Sequence, residues 1–311
     1  MPTKKFTLLT VMLLLFMIVG YVSAQEADVQ GANGELIRAT LTYDGRERIY
    51  HLFVPAGYDA ETPTPLVLGF HGAGGNSLEM ANFSGFSILA GQTNTLVVYP
   101  DAIDDFWRYV PGISEPDYEE IDDVGFVGAL LDALIAEYSI DESRVSVVGW
   151  SNGGMMAERL RCSMADRLSA VAIIGATMSY NLARVCLGAP ALPTMSIIGT
   201  QDSNFPQGGT AEVTNGVLIS RFSHAQTLRF LASLNGCDVN GTADNVGVQG
   251  SQFDVALQIP DNCPADAPVM MYSIIGAGHE YPAQVLIGLP DGSSGNILLA
   301  VWDFFAAFSR M

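Results

Sequence analysis

The chain reads as an α/β protein built on a mostly parallel sheet, with an antiparallel hairpin at its start and helices on both faces. Three observations carry that reading. Short, β-branched apolar runs recur at Leu66 to Phe70, Thr95 to Tyr99, Val145 to Val148, Ala170 to Ile174, Thr194 to Ile198 and Val269 to Ile274. Unbroken apolar runs suit strands covered on both faces, as in a parallel sheet. Helical patterns lie between them, giving the β-α alternation of this class. Finally, Leu36 to Tyr43 and Arg48 to Val54 alternate apolar and polar residues around Asp44-Gly45, a hairpin signature.

The clearest helix starts at Asp122 or Asp123, either of which can cap the free N–H groups of a first turn. It places Phe126, Val127, Leu130, Leu131, Leu134 and Ile135 on one stripe. Asn296 to Phe308 closes the chain with a similar amphipathic helix. Ser220 to Arg229 is a polar helical stretch in which His224 is expected to face solvent. No internal repeat and no Ser/Thr- or Pro-rich linker divides the sequence, so one catalytic domain is expected over residues 25–311.

Residues 1–24 read as a signal peptide. Lys4 and Lys5 precede an apolar run from about Leu8 to Val19, and Val22-Ser23-Ala24 offers small residues before a cut ahead of Gln25. The run is short for a bilayer span, which makes an uncleaved anchor the weaker alternative. The expected location is secreted or periplasmic, with no stable membrane anchor after cleavage.

Hydrophobic residues make up 49% of the chain and charged residues 15%, enough apolar material for a sizeable core. The formal net charge is -19, and loss of the two lysines in residues 1–24 takes it to -21. So acidic a surface argues against nucleic acid as a partner, because that binding needs basic patches. Asp101, Asp104, Asp105, Glu115, Asp117, Glu119, Glu120, Asp122 and Asp123 crowd one segment with only Arg108 opposing them. The segment reads as a solvated loop; a calcium site is the alternative, without recognisable ligand spacing. Four cysteines in an exported chain imply two disulfides, for which three pairings exist. The nearest-neighbour choice joins Cys162 to Cys186 and Cys237 to Cys263, closing loops worth about 3 kcal/mol each.

The candidate chemistry centres on Gly149-Trp150-Ser151-Asn152-Gly153, set between the run Arg144 to Val148 and the helix-compatible Gly154 to Leu160. Strand, G-x-S-x-G and helix together place a serine on a sharp turn with its hydroxyl above the sheet. Asp202 follows one strand in Gly199-Thr200-Gln201-Asp202, and His279 follows another in Gly276-Ala277-Gly278-His279-Glu280. Serine, aspartate and histidine therefore arrive in the order of an α/β-hydrolase sheet, each just past a strand C-terminus. Asp254 and Asp261 are rival acids, but both fall too late in the chain. His51, inside the hairpin, reads as structural. His71-Gly72-Ala73-Gly74-Gly75-Asn76 is the turn expected to supply one oxyanion-hole amide, from Ala73, with Asn152 supplying the other and His71 bracing the loop. The implied chemistry is acyl transfer: Ser151 attacks an ester carbonyl, His279 takes its proton, and Asp202 holds the imidazole. It calls for neither metal nor cofactor.

With these residues assembled, the chain resembles the secreted polyhydroxybutyrate depolymerase and feruloyl esterase-like family of α/β-hydrolases, from about Tyr50 to Pro282. The resemblance rests on His71 to Asn76, Tyr99-Pro100-Asp101 with Trp107 downstream, Asp122 to Phe126, Ser151 to Met156, Gly199 to Asp202, Asn235-Gly236-Cys237 and Gly278 to Pro282. It implies triad roles for Ser151, Asp202 and His279, and a place for Trp107 in the substrate cleft. Two positions depart from the family pattern: Tyr281 stands where tryptophan is usual, and Phe205 where a smaller aliphatic residue is usual. Both are expected to border the acyl or alcohol pocket. No polymer-binding module follows behind a linker, which favours small or oligomeric ester substrates. The expected activity is cleavage of hydroxyalkanoate polyester or oligomer esters. The alternative is removal of feruloyl or acetyl groups from plant cell-wall polysaccharide. A serine peptidase on this fold would want a gating domain or a charged anchor for a peptide terminus, and neither is recognisable. A non-catalytic binding protein on a hydrolase scaffold would typically lack the nucleophile or the base, and both are present.

Overall fold

The hairpin forms where the alternation places it. Strands β1 (Gly34–Tyr43) and β2 (Arg46–Pro55) pair antiparallel with Tyr43 opposite Arg46, and Asp44 (φ 49°) with Gly45 (φ 71°) makes the left-handed two-residue turn. The computed structural model describes residues 29, 31–110, 121–214, 217–241, 243–248, 251–289 and 292–310. The signal peptide expected over residues 1–24 lies outside the described residues.

Downstream of the hairpin the chain alternates. Strand β3 (Thr64–Phe70) leads to helices α1 (Ser77–Phe83) and α2 (Phe86–Thr93), and β4 (Leu96–Pro100) to α3 (Asp123–Glu137). Strand β5 (Ile140–Trp150) feeds α4 (Asn152–Ser163), β6 (Ala170–Ile174) feeds α5 (Tyr180–Val185), and β7 (Thr194–Gly199) follows. After these come β8 (Thr210–Thr214), β9 (Val217–Arg221), α6 (His224–Asn235), β10 (Ala243–Asn245), β11 (Val255–Gln258), β12 (Val269–Ile274), β13 (Leu286–Gly288), β14 (Ser294–Asn296) and α7 (Ile297–Ala307).

Ten strands join one sheet in the order β1-β2-β4-β3-β5-β6-β7-β12-β11-β10. The run from β4 through β12 is parallel, and the flanking pairs are antiparallel. This is the α/β-hydrolase fold. Strand side chains alternate between two cores. Val147 and Leu68 face α3 and α4 through Phe126, Leu130, Met156 and Leu160, while Val148 and Val67 face α1, α2 and α7 through Met80, Phe86 and Val301. Two-sided burial is why these strands carry unbroken apolar runs. The C-terminal ends of β5, β7 and β12 consequently share one edge of the sheet, where Ser151, Asp202 and His279 emerge.

Several expectations need correction. The stretch Ser220 to Arg229 is not one helix: β9 ends at Arg221, and α6 starts at His224 behind a Ser223 cap. His224 is 4% exposed, so it faces the interior. Asp122 accepts from the Gly125 N–H at 2.9 Å and is the cap of α3. Its neighbour Asp123 is buried in an ion pair with Arg48 at 2.6 Å and also accepts from the Arg108 N–H at 2.7 Å. Asp101 accepts from the Ser77 N–H at 2.5 Å. Asp101 and Asp123 therefore act as structural acceptors, while Asp104 and Asp105 are exposed, as a solvated loop expects; Glu115, Asp117, Glu119 and Glu120 lie outside the described residues. His51 is bonded through Nδ1 to Ser77 Oγ at 2.7 Å inside the hairpin, a structural role as expected. Both disulfides pair nearest neighbours: Cys162 with Cys186, joining α4 to the end of α5, and Cys237 with Cys263.

Candidate active site

The turn between β5 and α4 holds Ser151 at φ 57° and ψ -117°, a region that costs a non-glycine residue about 1–3 kcal/mol. The surroundings impose it. The Ser151 N–H donates to the Ile174 carbonyl on β6 at 2.8 Å, and its own carbonyl receives the Met155 N–H at 3.0 Å, starting α4. The two flanking glycines are steric necessities: a Cβ at Gly149 would collide with the Gly153 carbonyl, and one at Gly153 with the Phe70 carbonyl.

Above this turn three side chains from distant segments meet. Ser151 Oγ lies 2.8 Å from His279 Nε2, and His279 Nδ1 lies 2.7 Å from Asp202 Oδ2. The other carboxylate oxygen of Asp202 accepts from the N–H groups of Asn204 and Phe205, each at 2.8 Å. Asp202 is 2% exposed. Burial alone would raise its pKa, but the His279 hydrogen bond, the backbone N–H donors and the attraction of the imidazole outweigh it and hold the carboxyl below its usual value. The loops bearing Asp202 and His279 are tied to each other: Gln201 N–H donates to the Ala277 carbonyl at 2.9 Å, and Gly276 N–H to Thr200 Oγ1 at 2.9 Å. Asp254 and Asp261 are not part of this arrangement; Asp261 pairs through its backbone with Asp238.

The glycine-rich turn after β3 is braced from two sides. Ala102 N–H donates to His71 Nε2 at 3.1 Å, so Nδ1 carries the proton and donates to the Gly72 carbonyl at 2.8 Å. His71 therefore supports the loop as expected. Trp107 requires correction. It is fully buried, so it does not line a cleft; its indole N–H donates to the His71 carbonyl at 3.1 Å. Its backbone is gripped by the Asn152 side chain, which accepts from Trp107 N–H at 2.7 Å and donates to the Trp107 carbonyl at 3.2 Å. Trp107 thus links the Ala73 turn to the first residue of α4. Asn152 opens that helix, so its N–H has no intrahelical acceptor.

Aromatic rings surround His279. Trp150 stacks on the His279 ring at 5.8 Å, and Phe205 lies tilted against it at 5.6 Å. Phe205 is 3% exposed, so it reaches the site by packing on the imidazole, not by presenting a free surface. Tyr281 is partly exposed, sits edge-on to Trp150 and Phe83, and donates from its hydroxyl to the Ser84 carbonyl at 3.3 Å. Together with Gly278, Glu280, Gly175 and Phe253 it lines a cavity of about 210 Å³ beside the base loop. Phe83, at 40% exposure, is the outermost ring of this group. Sequence reasoning gave Phe83 and Trp150 no place in this group; only Trp150 carried a signal, its position inside the serine motif.

No family model matches the chain. Over 166 residues it is 31% identical to the putative esterase NocK of Nocardia uniformis subsp. tsuyamanensis, covering 53% of this chain and 48% of that protein. Over 271 residues it is 27% identical to feruloyl esterase C of Emericella nidulans, covering 85% of each. Over 266 residues it is 24% identical to feruloyl esterase B of Piromyces equi, covering 82% of this chain and 44% of that protein. The chain thus spans about half the length of NocK and of the Piromyces protein. Among solved structures, an acetyl xylan esterase from Aspergillus awamori superposes with a TM-score of 0.58 at 13% identity, over 92% of this chain and 99% of that one.

Proposed function

We propose that the chain, which is similar to feruloyl esterases, is an exported serine carboxylic-ester hydrolase of the α/β-hydrolase fold that removes feruloyl or acetyl groups from plant cell-wall polysaccharide. The observation that carries this reading is the relay from Ser151 Oγ through His279 to Asp202, with bonds of 2.8 and 2.7 Å. Ser151 attacks the ester carbonyl as His279 Nε2 takes its proton, and Asp202 stabilises the imidazolium that forms. The N–H groups of Ala73 and Asn152 receive the developing oxyanion. His279 then protonates the departing alkoxide, leaving an acyl group on Ser151. Water, deprotonated by the same imidazole, releases the acid and restores the hydroxyl.

Support for the cell-wall substrate over the hydroxyalkanoate ester comes from the named relatives, two of them feruloyl esterases. The exposed Phe83 ring beside Trp150 and Tyr281 adds a surface suited to a planar aromatic acyl group. The motif likeness to polyhydroxybutyrate depolymerases keeps hydroxyalkanoate oligomers as the second reading. A panel of methyl ferulate, acetylated xylan and hydroxybutyrate oligomers, with Ser151→Ala as the blank, tests both. Highest kcat/KM on ferulate or acetylxylan is expected. Turnover confined to the hydroxybutyrate oligomers would transfer the assignment to the second reading.

A further inference from the structure

We propose that His224 is a positioning residue for the triad acid, acting through the Phe205 main chain; this rests on the reading of Asp202 as that acid. The two peptide groups that flank the Phe205 Cα are each held by one hydrogen bond. Phe205 N–H donates to Asp202 Oδ1 at 2.8 Å, and the Phe205 carbonyl accepts from His224 Nε2 at 3.0 Å. The same residue touches the base, because its ring lies 5.6 Å from the His279 ring. The Arg221 guanidinium stands 5.2 Å from the Phe205 ring centre. Phe205 thus contacts acid and base at once, and its orientation bears on the geometry of both.

His224 projects from a fixed point. It is the first residue of α6, whose initial turn is closed reciprocally by Ser223 and Gln226. Its own N–H donates to the Gln207 carbonyl at 3.2 Å, and Thr227 one turn on accepts from the Met178 N–H at 3.3 Å. A carbonyl acceptor requires the proton on Nε2. Nδ1 is buried without a partner, so the ring is held as one neutral tautomer, with Asp202 as the charged group facing it. An imidazole so placed can only donate to Phe205. Without that donor the Phe205–Pro206 peptide loses its anchor, and the Phe205 backbone can turn about its Cα, moving its N–H off Asp202 Oδ1 and its ring off the base.

The variants His224→Ala, His224→Asn and His224→Gln test this, because a glutamine amide N–H reaches the Nε2 position and an asparagine amide does not. Three readouts apply: kcat and KM on a soluble ester, the downfield proton resonance of the Asp202–His279 bond, and the thermal midpoint. For Ala and Asn, kcat should fall by about tenfold to a hundredfold with KM within about twofold, and the resonance should shift or disappear. Gln should recover kcat to within about threefold and restore the resonance. Unchanged kcat and resonance in the Ala and Asn variants would overturn the proposal. So would a Gln variant no better than Asn at matched thermal midpoint. Ser151→Ala in the same assay separates the two levels: residual turnover there would defeat the esterase reading itself, whereas loss of rescue defeats only the role of His224.

Discussion

Ser151 carries its hydroxyl on a backbone that no ordinary side chain prefers, and the bonds to Ile174 and Met155 hold it there. Removing the hydroxyl should leave the fold intact and abolish chemistry. Ser151→Ala is expected to lower kcat by about 10⁴–10⁶, and Asp202→Asn by about 10⁴ through loss of the correct imidazole tautomer. Ser151→Gly should be equally inactive yet melt above Ser151→Ala, because glycine adopts positive φ without strain. A lower midpoint for glycine than for alanine would deny that the turn is strained. The convergence of Ser151, Asp202 and His279 was legible because order and strand ends are sequence properties. Burial is not, which is why Trp107 read as a cleft residue although its indole is enclosed against His71 and Phe70. His224 was opaque for the same reason: the polar stretch that contains it does not say which way one ring turns.

Among the elements, α4 does two things at once. Its N-terminus lies at the candidate nucleophile, and further along it buries Glu158 and Arg161, both with 0% exposure. Arg161 is bonded to Thr194 Oγ1 at 3.2 Å and to Asn235, whereas neither carboxylate oxygen of Glu158 has a partner. Burial pushes the Glu158 carboxyl up to about 8, with the Arg161 charge opposing. Between pH 4.5, the ordinary value, and about 8 the folded protein keeps a proton that the unfolded chain has released. Stability should therefore fall as pH rises through that window and level off above it. Glu158→Gln should remove the slope, matching the parent at pH 4 and exceeding it at pH 9 by a few kcal/mol, on the order of 2–5. Thermal or urea unfolding at the two pH values checks this; parallel curves for parent and variant would contradict it. Element boundaries were legible wherever an apolar run or a stripe was long enough, as in β3, β6, β12 and α3. Strands β8 to β11, at three to five residues each, offer no such run, and their pairing is dictated by neighbours.

On the scale of the whole molecule, a formal charge of -19 surrounds a candidate site assembled from loops after β5, β7 and β12. At low salt this field should disfavour an ester that carries a free carboxylate. KM should be higher than for the matched neutral methyl ester, and the difference should shrink as salt is added. Equal KM values at low salt would remove the charge from the account. The fold class was readable because two-faced burial writes itself as unbroken apolar runs. The proposed aromatic acyl group was not, because it rests on the exposure of Phe83 beside Trp150 and Tyr281, and Phe83, at the end of α1, announces nothing in the sequence. The central claim, that Ser151 is a nucleophile activated by His279, is tested most directly by intact-protein mass spectrometry after treatment with an alkyl fluorophosphonate. A single adduct mapping to Ser151, and absent from both Ser151→Ala and His279→Ala, is the predicted result. No adduct on the active parent, or one on another residue while Ser151→Ala keeps its esterase activity, would contradict it.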